Sequence, residues 1–346
     1  MSTDTQQPCG AHLCGSFPLA SSEEVFRIAA SILGSHLRRI PDGETGIRTG
    51  WIRWQDAVFA DHPAFETGPV EPGIYRPAPT YHVRDRAGAA GIEFGELGYA
   101  DAAKASYRQF SQYKREGLIP SPTRFQVSIP TPLAPLSAFV ALEDRAFVEP
   151  AYERRMLADL QEILTNIPHN QLAIQWDVAV EVALLEGVAP THLRDPWDGI
   201  VERLVRLGQA VPPDVELGYH YCYGYAGRRH FKEPADTALV VRLANAVARG
   251  LARPLTWVHL PVPRDRSDDS YFAPLEGLRL PSDTEVYLGL VHLRDGVAGT
   301  KRRIEVARRH LSRFGVATEC GMGPRPADTI PELLRIHVEV AAPVRQ

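Results

Sequence analysis

The sequence predicts an α/β protein built as a single (β/α)8 TIM barrel. Eight short apolar or β-branched runs alternate with eight longer stretches of helical period along the 346 residues. Repeated strand–helix alternation is typical of a parallel sheet, and eight repeats match the number of strands in this barrel. An open, doubly wound sheet is the main alternative. It requires a glycine-rich phosphate loop after the first strand, and Cys14–Pro18 (CGSFP) is not such a loop.

Each predicted strand is a short apolar run bounded by Gly, Pro, Asp or His. The strands are predicted over His12–Phe17, Leu37–Pro41, Arg124–Ile129, Gln171–Asp177, Glu216–Cys222, Leu255–Leu260, Glu285–His292 and Gly315–Cys320. The helices are predicted over Ser22–Gly34, Ile47–Ala60, Asp101–Glu116, Ala151–Asn166, Trp197–Leu207, Asp236–Gly250, Lys301–Arg313 and Thr329–Val340. Ser or Asp at helix starts and Gly at helix ends fit the chemistry of helix capping.

One segment interrupts this alternation. Residues 61–100 are rich in Pro and Gly, and a connection of this length usually has a functional role or forms a small structure of its own. We therefore expect a lid-like insertion over the barrel mouth, after the second βα unit. The expected organisation is a polar tail over residues 1–10 and a barrel domain over residues 11–346 that carries this insertion.

Charge and hydropathy exclude several classes of partner. The chain has 38 basic and 42 acidic side chains, a net charge of −4, which gives no general reason to bind nucleic acid or an anionic membrane. An apolar run of about 18 residues, the length of a transmembrane helix, does not occur. The start has neither a basic nor an apolar signal-peptide region, so we expect a cytoplasmic protein with reduced cysteines. The oligomeric state stays unknown.

Polar residues stand at the ends of most of the predicted strands. Catalytic residues of such barrels come from the carboxyl ends of the strands, where the following loops converge. The residues at or just after these ends include Ser16, Glu44, Asp177, His220, Cys222, His259, His292 and Cys320. We expect them to face one shared site.

Three of these residues form a candidate metal site. His220 and Cys222 are two residues apart on a strand, so both side chains point to the same side. Imidazole nitrogen and thiolate sulfur are typical ligands of Zn²⁺. Cys320 ends the eighth strand, three strands further round the barrel, and supplies a third ligand. A three-ligand zinc site leaves one position open for a substrate.

The order of short motifs resembles a known family. The motifs are Gly15–Pro18 (GSFP), Asp42–Glu44 (DGE), Ile174–Asp177 (IQWD), His220–Cys222 (HYC) and Cys320–Arg325 (CGMGPR). Together they resemble the catalytic barrel of cobalamin-independent methionine synthases. These enzymes fall within the wider group of uroporphyrinogen-decarboxylase/methionine-synthase-like barrels, and the resemblance spans nearly the whole chain.

The resemblance implies a zinc-dependent methyltransferase whose partners are small molecules, a thiol such as homocysteine and a methyl donor. It implies that His220, Cys222 and Cys320 bind Zn²⁺, which holds the substrate thiol as a thiolate. By the same resemblance Ser16, Glu44 and Asp177 would hold the amino-acid end of the thiol, and His292 would take the place of a histidine that serves in proton transfer.

The sequence also departs from the family pattern. His259 stands where the methionine synthases have a glutamate ligand on the sixth strand, so it is either a replacement fourth ligand or a close neighbour of the ion. The chain has one predicted barrel, whereas the common methionine synthases carry a second, N-terminal one. The thiol acceptor and the alkyl donor (folate, corrinoid or another) therefore stay open.

Three alternatives remain. The same zinc barrel could catalyse another carbon–sulfur bond reaction of specialised metabolism. A metal-free lyase of the uroporphyrinogen-decarboxylase type would need a wide, arginine-lined pocket, for which Arg38, Arg39 and Arg48 are the candidates. A binding protein could instead hold zinc as a closed structural centre, with His259 completing four protein ligands.

Overall fold

Eight parallel strands form one sheet that curves into a nearly closed barrel. The computed structural model describes residues 7–74, 77–224 and 229–344. Its strands are, in chain order, β1 (Ala11–His12), β2 (Arg39–Pro41), β3 (Phe65–Glu71), β4 (Ala78–Val83), β5 (Arg124–Pro130), β6 (Leu172–Val178), β7 (Glu216–Tyr221), β8 (Trp257–Pro261), β9 (Glu285–Val291) and β10 (Gly315–Thr318). The barrel order is β1-β10-β9-β8-β7-β6-β5-β2, and a backbone bridge between Ala11 and Leu37 joins its two ends. This confirms the predicted fold class.

Helices surround the barrel and connect its strands. They are α1 (Ser22–Leu33), α2 (Asp56–Ala60), α3 (Tyr99–Arg115), α4 (Leu133–Phe139), α5 (Arg145–Asn166), α6 (Val180–Leu185), α7 (Pro196–Gln209), α8 (Ala238–Gly250), α9 (Asp269–Phe272), α10 (Gly296–His310) and α11 (Ile330–Val340). Measured over the described residues, none of these helices has the combined length and apolarity that a bilayer crossing demands.

The predicted helix over Ile47–Ala60 is wrong. The chain forms two 3₁₀ turns, Gly46–Gly50 and Arg53–Gln55, and then the short helix α2. Trp51 stands between the turns with φ of 58°, a left-handed conformation that breaks a helix. The short helices α4, α6 and α9 were not among the predicted ones, because four to seven residues carry too little helical period to be recognised.

The Pro- and Gly-rich segment contains a two-stranded antiparallel hairpin, β3–β4, outside the barrel sheet. The backbone of Tyr81 in β4 bridges to Val140 just after α4, and the Tyr81 hydroxyl donates to Asp56 Oδ1 at 2.8 Å. The hairpin is therefore anchored to the segments that follow β2 and β5. Residues 1–6 of the predicted polar tail lie outside the described residues.

Neighbouring strands bring polar residues side by side. In the ladder register, Asp177 of β6 lies beside His220 of β7, which lies beside His259 of β8. All three are buried. Because side chains at the same register position of parallel strands point the same way, this arrangement gathers polar groups inside the carboxyl end of the barrel.

Candidate active site

A cavity of about 390 Å³ opens at the carboxyl ends of the barrel strands. The expected site residues that line it are Ser16, Glu44, Asp177, His220, Cys222 and Cys320. They follow or end β1, β2, β6, β7 and β10. Six of the eight expected residues thus share one cavity, and His259 and His292 lie outside its lining.

Three possible metal ligands converge at this cavity. Ligand atoms of His220, Cys222 and Cys320 all lie within 4.8 Å of one another. The Cys222 thiol donates to Cys320 Sγ at 3.2 Å, and the backbone N–H of Gly224 donates to Cys222 Sγ, also at 3.2 Å. Hydrogen bonds from Cys222 and His220 lower the pKa of the Cys320 thiol well below its usual value. The arrangement therefore favours a thiolate at Cys320.

Local backbone geometry explains how these groups come so close. Cys320 is followed by Gly321, where a Cβ atom would lie 2.3 Å from Ser16 Oγ. Ser16 in turn accepts from Gly323 N at 3.3 Å, and its carbonyl accepts from Met322 N at 2.7 Å. The Gly after Cys320 thus allows the loops that follow β1 and β10 to pack against each other.

His259 and Cys14 form a second buried group with His220. Cys14 Sγ lies 3.8 Å from both ring nitrogens of His259, and a ligand atom of each lies within 4.8 Å of His220. His259 Nδ1 is 2.6 Å from His220 Nδ1, and His259 Nε2 is 3.1 Å from the carbonyl oxygen of Thr318. Burial, then the neighbouring His220, lowers the pKa of His259 well below its usual value, so this ring is neutral.

Two buried carboxyl groups stand in the cavity wall. Burial, with the Asp177 charge nearby, raises the pKa of Glu44 well above its usual value. Burial likewise raises the pKa of Asp177, although Gln175 donates to Asp177 Oδ1 at 2.9 Å and Trp51 provides a further hydrogen bond. Arg48, whose charge acts on Glu44 from the same segment, is paired with Asp42 at 2.7 Å. A cationic ligand group would relieve the repulsion between the two carboxyl groups.

His292 takes a position away from the cavity lining. Its Nε2 lies 2.8 Å from the carbonyl oxygen of Val262. Burial, and then the positive charge of Arg303, lowers the pKa of His292 to about 3. The ring is therefore neutral and held by the backbone that follows β8, and its role in proton transfer stays a prediction.

Part of the cavity wall was not among the expected site residues. The short helix α4 contributes Ala134, Ser137, Ala138 and Phe139, and the segment after β2 contributes Trp51 and Ile52. Trp51 lines the cavity and contacts Asp177. Thr131-Pro132 directly after β5 is the one signal that could have indicated α4, since Pro is frequent at helix starts.

The donor set fits a zinc ion. The site offers one imidazole and two sulfurs, and one of the sulfurs is favoured as a thiolate. Zn²⁺ binds nitrogen and sulfur ligands of this kind, whereas Mg²⁺ and Ca²⁺ prefer oxygen ligands. The two sulfurs lie 3.2 Å apart at a partly buried position, where a shared cation would stabilise both as thiolates. His220, Cys222 and Cys320 are the residues that could hold such an ion.

Comparisons with known proteins identify the fold. No protein-family model matches the sequence, and no curated protein matches it. A B12-independent methionine synthase from Shewanella sp. W3-18-1, solved in complex with selenomethionine, is similar in structure with a TM-score of 0.63, 12% identity and 96% of each chain covered. This chain has the fold of a cobalamin-independent methionine synthase.

A second solved structure supports the same conclusion. It is a candidate vitamin-B12-independent methionine synthase from Listeria monocytogenes, similar with a TM-score of 0.57 and 14% identity. The alignment covers 98% of this chain and 100% of that one. At such low identity, the likeness to these methionine synthases establishes the fold, and the function has to be argued from the site.

Proposed function

We propose that this chain is a zinc-dependent methyltransferase that methylates the sulfur of a small thiol amino acid such as homocysteine. The observation that carries the proposal is the meeting of the His220, Cys222 and Cys320 group with the Glu44 and Asp177 carboxyl pair in one cavity. The shared fold supports it, as does the selenomethionine bound by the Shewanella protein, because that ligand resembles a methylated thiol amino acid.

The metal-binding residues would activate the acceptor. Zn²⁺ held by His220, Cys222 and Cys320 would lower the pKa of a coordinated thiol, so that its sulfur is nucleophilic at neutral pH. Three protein ligands leave a position for that sulfur. The sulfur would form a bond to the methyl carbon while the bond from that carbon to the donor breaks. The electron pair of the broken bond would stay with the donor, and the thiol proton would leave to solvent or to the donor.

The remaining cavity residues would hold the acceptor in place. Glu44 and Asp177 accept hydrogen bonds from the substrate ammonium group, which removes the repulsion between two buried carboxylates. Ser16, between the loops that follow β1 and β10, contacts the same end of the acceptor. These contacts aim the sulfur at the methyl donor.

The donor would occupy the outer part of the cavity, near α4 and the β3–β4 hairpin. The cavity lining includes small and apolar side chains, among them Ile52, Ile74, Ala78, Ala134 and Val180. A donor whose reacting end is uncharged or weakly polar fits this wall. The site would operate in the cytoplasm on small molecules, without nucleic acid or a membrane.

The described lining gives little support to a lyase that acts on a tetrapyrrole. Arg53 is the one arginine among the described residues that line the cavity. Arg39 instead lies at the amino ends of the strands, paired with Glu216 and Glu285. A pocket that recognises many substrate carboxylates would need several arginines at the mouth.

The test is a methyl-transfer assay. Zinc-loaded protein is incubated with homocysteine and, in turn, methyltetrahydrofolate, methylcobalamin, and methylated amines and sulfides, and methionine is measured by mass spectrometry. We expect methionine from at least one donor, its loss in Cys320→Ser, and unchanged turnover in Cys9→Ser, since Cys9 lies outside the cavity and contacts Pro343. No methionine from any donor would contradict the proposed acceptor and reaction.

A further inference from the structure

We propose that His259 is a positioning residue that fixes the tautomer of His220, and that it is not a fourth metal ligand. The inference rests on the proposed zinc site and concerns how this chain leaves a coordination position open. It follows from two buried contacts, which connect β10, β8 and β7, and from the grouping of the possible ligand atoms.

The first contact fixes the proton on His259. Its Nε2 lies 3.1 Å from the carbonyl oxygen of Thr318, and a carbonyl oxygen can only accept a hydrogen bond. Nε2 of His259 therefore carries the proton. In a neutral imidazole the other nitrogen, Nδ1, is then an acceptor.

The second contact determines which ring nitrogen of His220 carries the proton. The Nδ1 atoms of His220 and His259 lie 2.6 Å apart, and their ring centroids are 4.7 Å apart. Since His259 Nδ1 accepts, His220 Nδ1 must donate its proton to it. The lone pair of His220 is then on Nε2, the nitrogen left free to bind a metal ion.

The third observation is that His259 does not belong to the group that contains the sulfur ligands Cys222 and Cys320. His220 groups with Cys222 and Cys320, whereas His259 groups with His220 and Cys14, and the two groups share only His220. His259 is 0% exposed and both of its ring nitrogens have partners. It could bind an ion only by giving up the contact to Thr318 or the contact to His220.

The hydrogen-bonded series of Thr318, His259 and His220, here called the relay, also connects the strands that carry the ligands. Thr318, which anchors His259, is two residues before Cys320 on the same chain segment, and its side chain donates to the Cys320 carbonyl at 2.8 Å. His220 and His259 are direct neighbours in the β7–β8 ladder. The Thr318–His259–His220 relay thus orients the imidazole ligand relative to Cys320, as the hydrogen-bond partners of metal-bound histidines do.

The tautomers can be read directly by nuclear magnetic resonance. The protein is labelled with ¹⁵N-histidine and loaded with ¹¹³Cd²⁺ as the probe metal, and His259→Asn is used to assign the His259 signals. We expect cadmium coupling to one histidine, His220, through Nε2, a protonated Nδ1 on His220, and a protonated Nε2 on His259. Coupling to two histidines, or to His220 Nδ1, would contradict the proposed role of His259 without contradicting the proposed metal site.

Two substitutions add an affinity readout. In His259→Asn the amide oxygen takes a place close to Nδ1 and can still accept from His220, so zinc affinity should stay close to that of the natural chain. In His259→Leu the acceptor is gone, and we expect the affinity to fall about 10-fold to 100-fold. Equal losses in both variants, with native circular dichroism retained, would contradict the relay. Failure of the natural chain to bind cadmium or zinc would contradict the proposed function as well.

Discussion

Among the residues that the structure describes, the carboxyl groups of Glu44 and Asp177 are buried without a cation between them that would stabilise both charges, and a bound ligand could supply one. Both carboxyl groups are buried in the same cavity wall, and burial raises the pKa of each. Leaving them uncompensated is unfavourable, because a buried charge without a partner loses its hydration. An ammonium group between them would restore both as carboxylates and gain charge-assisted hydrogen bonds.

The change Asp177→Asn tests this role. It removes one charged partner of the acceptor ammonium in both the ground state and the transition state, so KM for homocysteine should rise about 10-fold to 100-fold while kcat stays nearly constant. Steady-state kinetics would measure both constants. The matched control is 4-mercaptobutanoate, a thiol without the ammonium group, for which the natural and variant enzymes should have the same KM. An equal rise for both acceptors would contradict the contact.

At the scale of elements, a buried ion-pair network joins α5 to α7 on the outside of the barrel. Glu149 of α5 bonds to His192 at 2.7 Å and to Arg203 of α7, with Arg203 Nη2 at 2.9 Å. Burial raises the pKa of Glu149, but the hydrogen bonds from His192 and Arg203 outweigh it and lower the pKa to about 2. The network therefore stabilises the packing of these helices when Glu149 is ionised.

Stability should follow the titration of Glu149. Its pKa in the folded chain, about 2, lies below the ordinary value of 4.5, so the stabilisation is fully present above pH 4.5 and is lost as the pH falls toward 2. We expect Glu149→Gln to lower the free energy of unfolding by about 2–3 kcal/mol at pH 7, and by less at pH 3.5. Urea denaturation at both values would measure this.

A control for Glu149→Gln is available on α7. Glu202 also pairs with an arginine, Arg206, but its side chain is 58% exposed. Glu202→Gln should therefore cost less than about 1 kcal/mol at both pH values. If the two substitutions cost the same, or if the cost of Glu149→Gln does not decrease on acidification, the network is not the source of the stabilisation.

At the scale of the whole molecule, the two ends of the barrel have different chemistry. Arg39, Glu216 and Glu285 begin β2, β7 and β9 and form an ion-pair group at the amino ends. The Arg39 guanidinium lies 4.1 Å from the centroid of the Trp257 ring. The ion pairs at the amino end stabilise the barrel, and the opposite, carboxyl end holds reactive groups such as Cys222 and Cys320.

Replacement of Arg39 tests whether the ion-pair group at the amino ends of the strands stabilises the barrel. Arg39→Met leaves Glu216 and Glu285 without their shared buried partner, and we expect a loss of about 3 kcal/mol in the free energy of unfolding. Zinc content per folded chain should not change. Arg38→Met is the control, since the Arg38 side chain, which also pairs with Glu285, is 39% exposed, and it should cost less than about 1 kcal/mol. Equal losses would contradict the special role of Arg39.

The barrel and much of its site could be predicted because both follow from strand period. His220 and Cys222 share a face at a spacing of two, and parallel order places Cys320 nearby. Loop conformation is not encoded in this way. The left-handed turn at Trp51 and the short helix α4 depend on packing between distant segments. The partners of His259, which are His220 on β7 and Thr318 on β10, come from two other strands, so no local pattern could show them.

X-ray absorption at the zinc edge, with and without homocysteine, tests the claim that three protein ligands hold zinc and leave one position for the substrate sulfur. We expect one zinc per chain with two sulfur ligands and one histidine nitrogen from the protein, and a third sulfur when homocysteine is added. Cys222→Ser and Cys320→Ser should each lose zinc, and Cys9→Ser should retain it. Equal zinc content in all four proteins, or four protein ligands that homocysteine leaves unchanged, would contradict the claim.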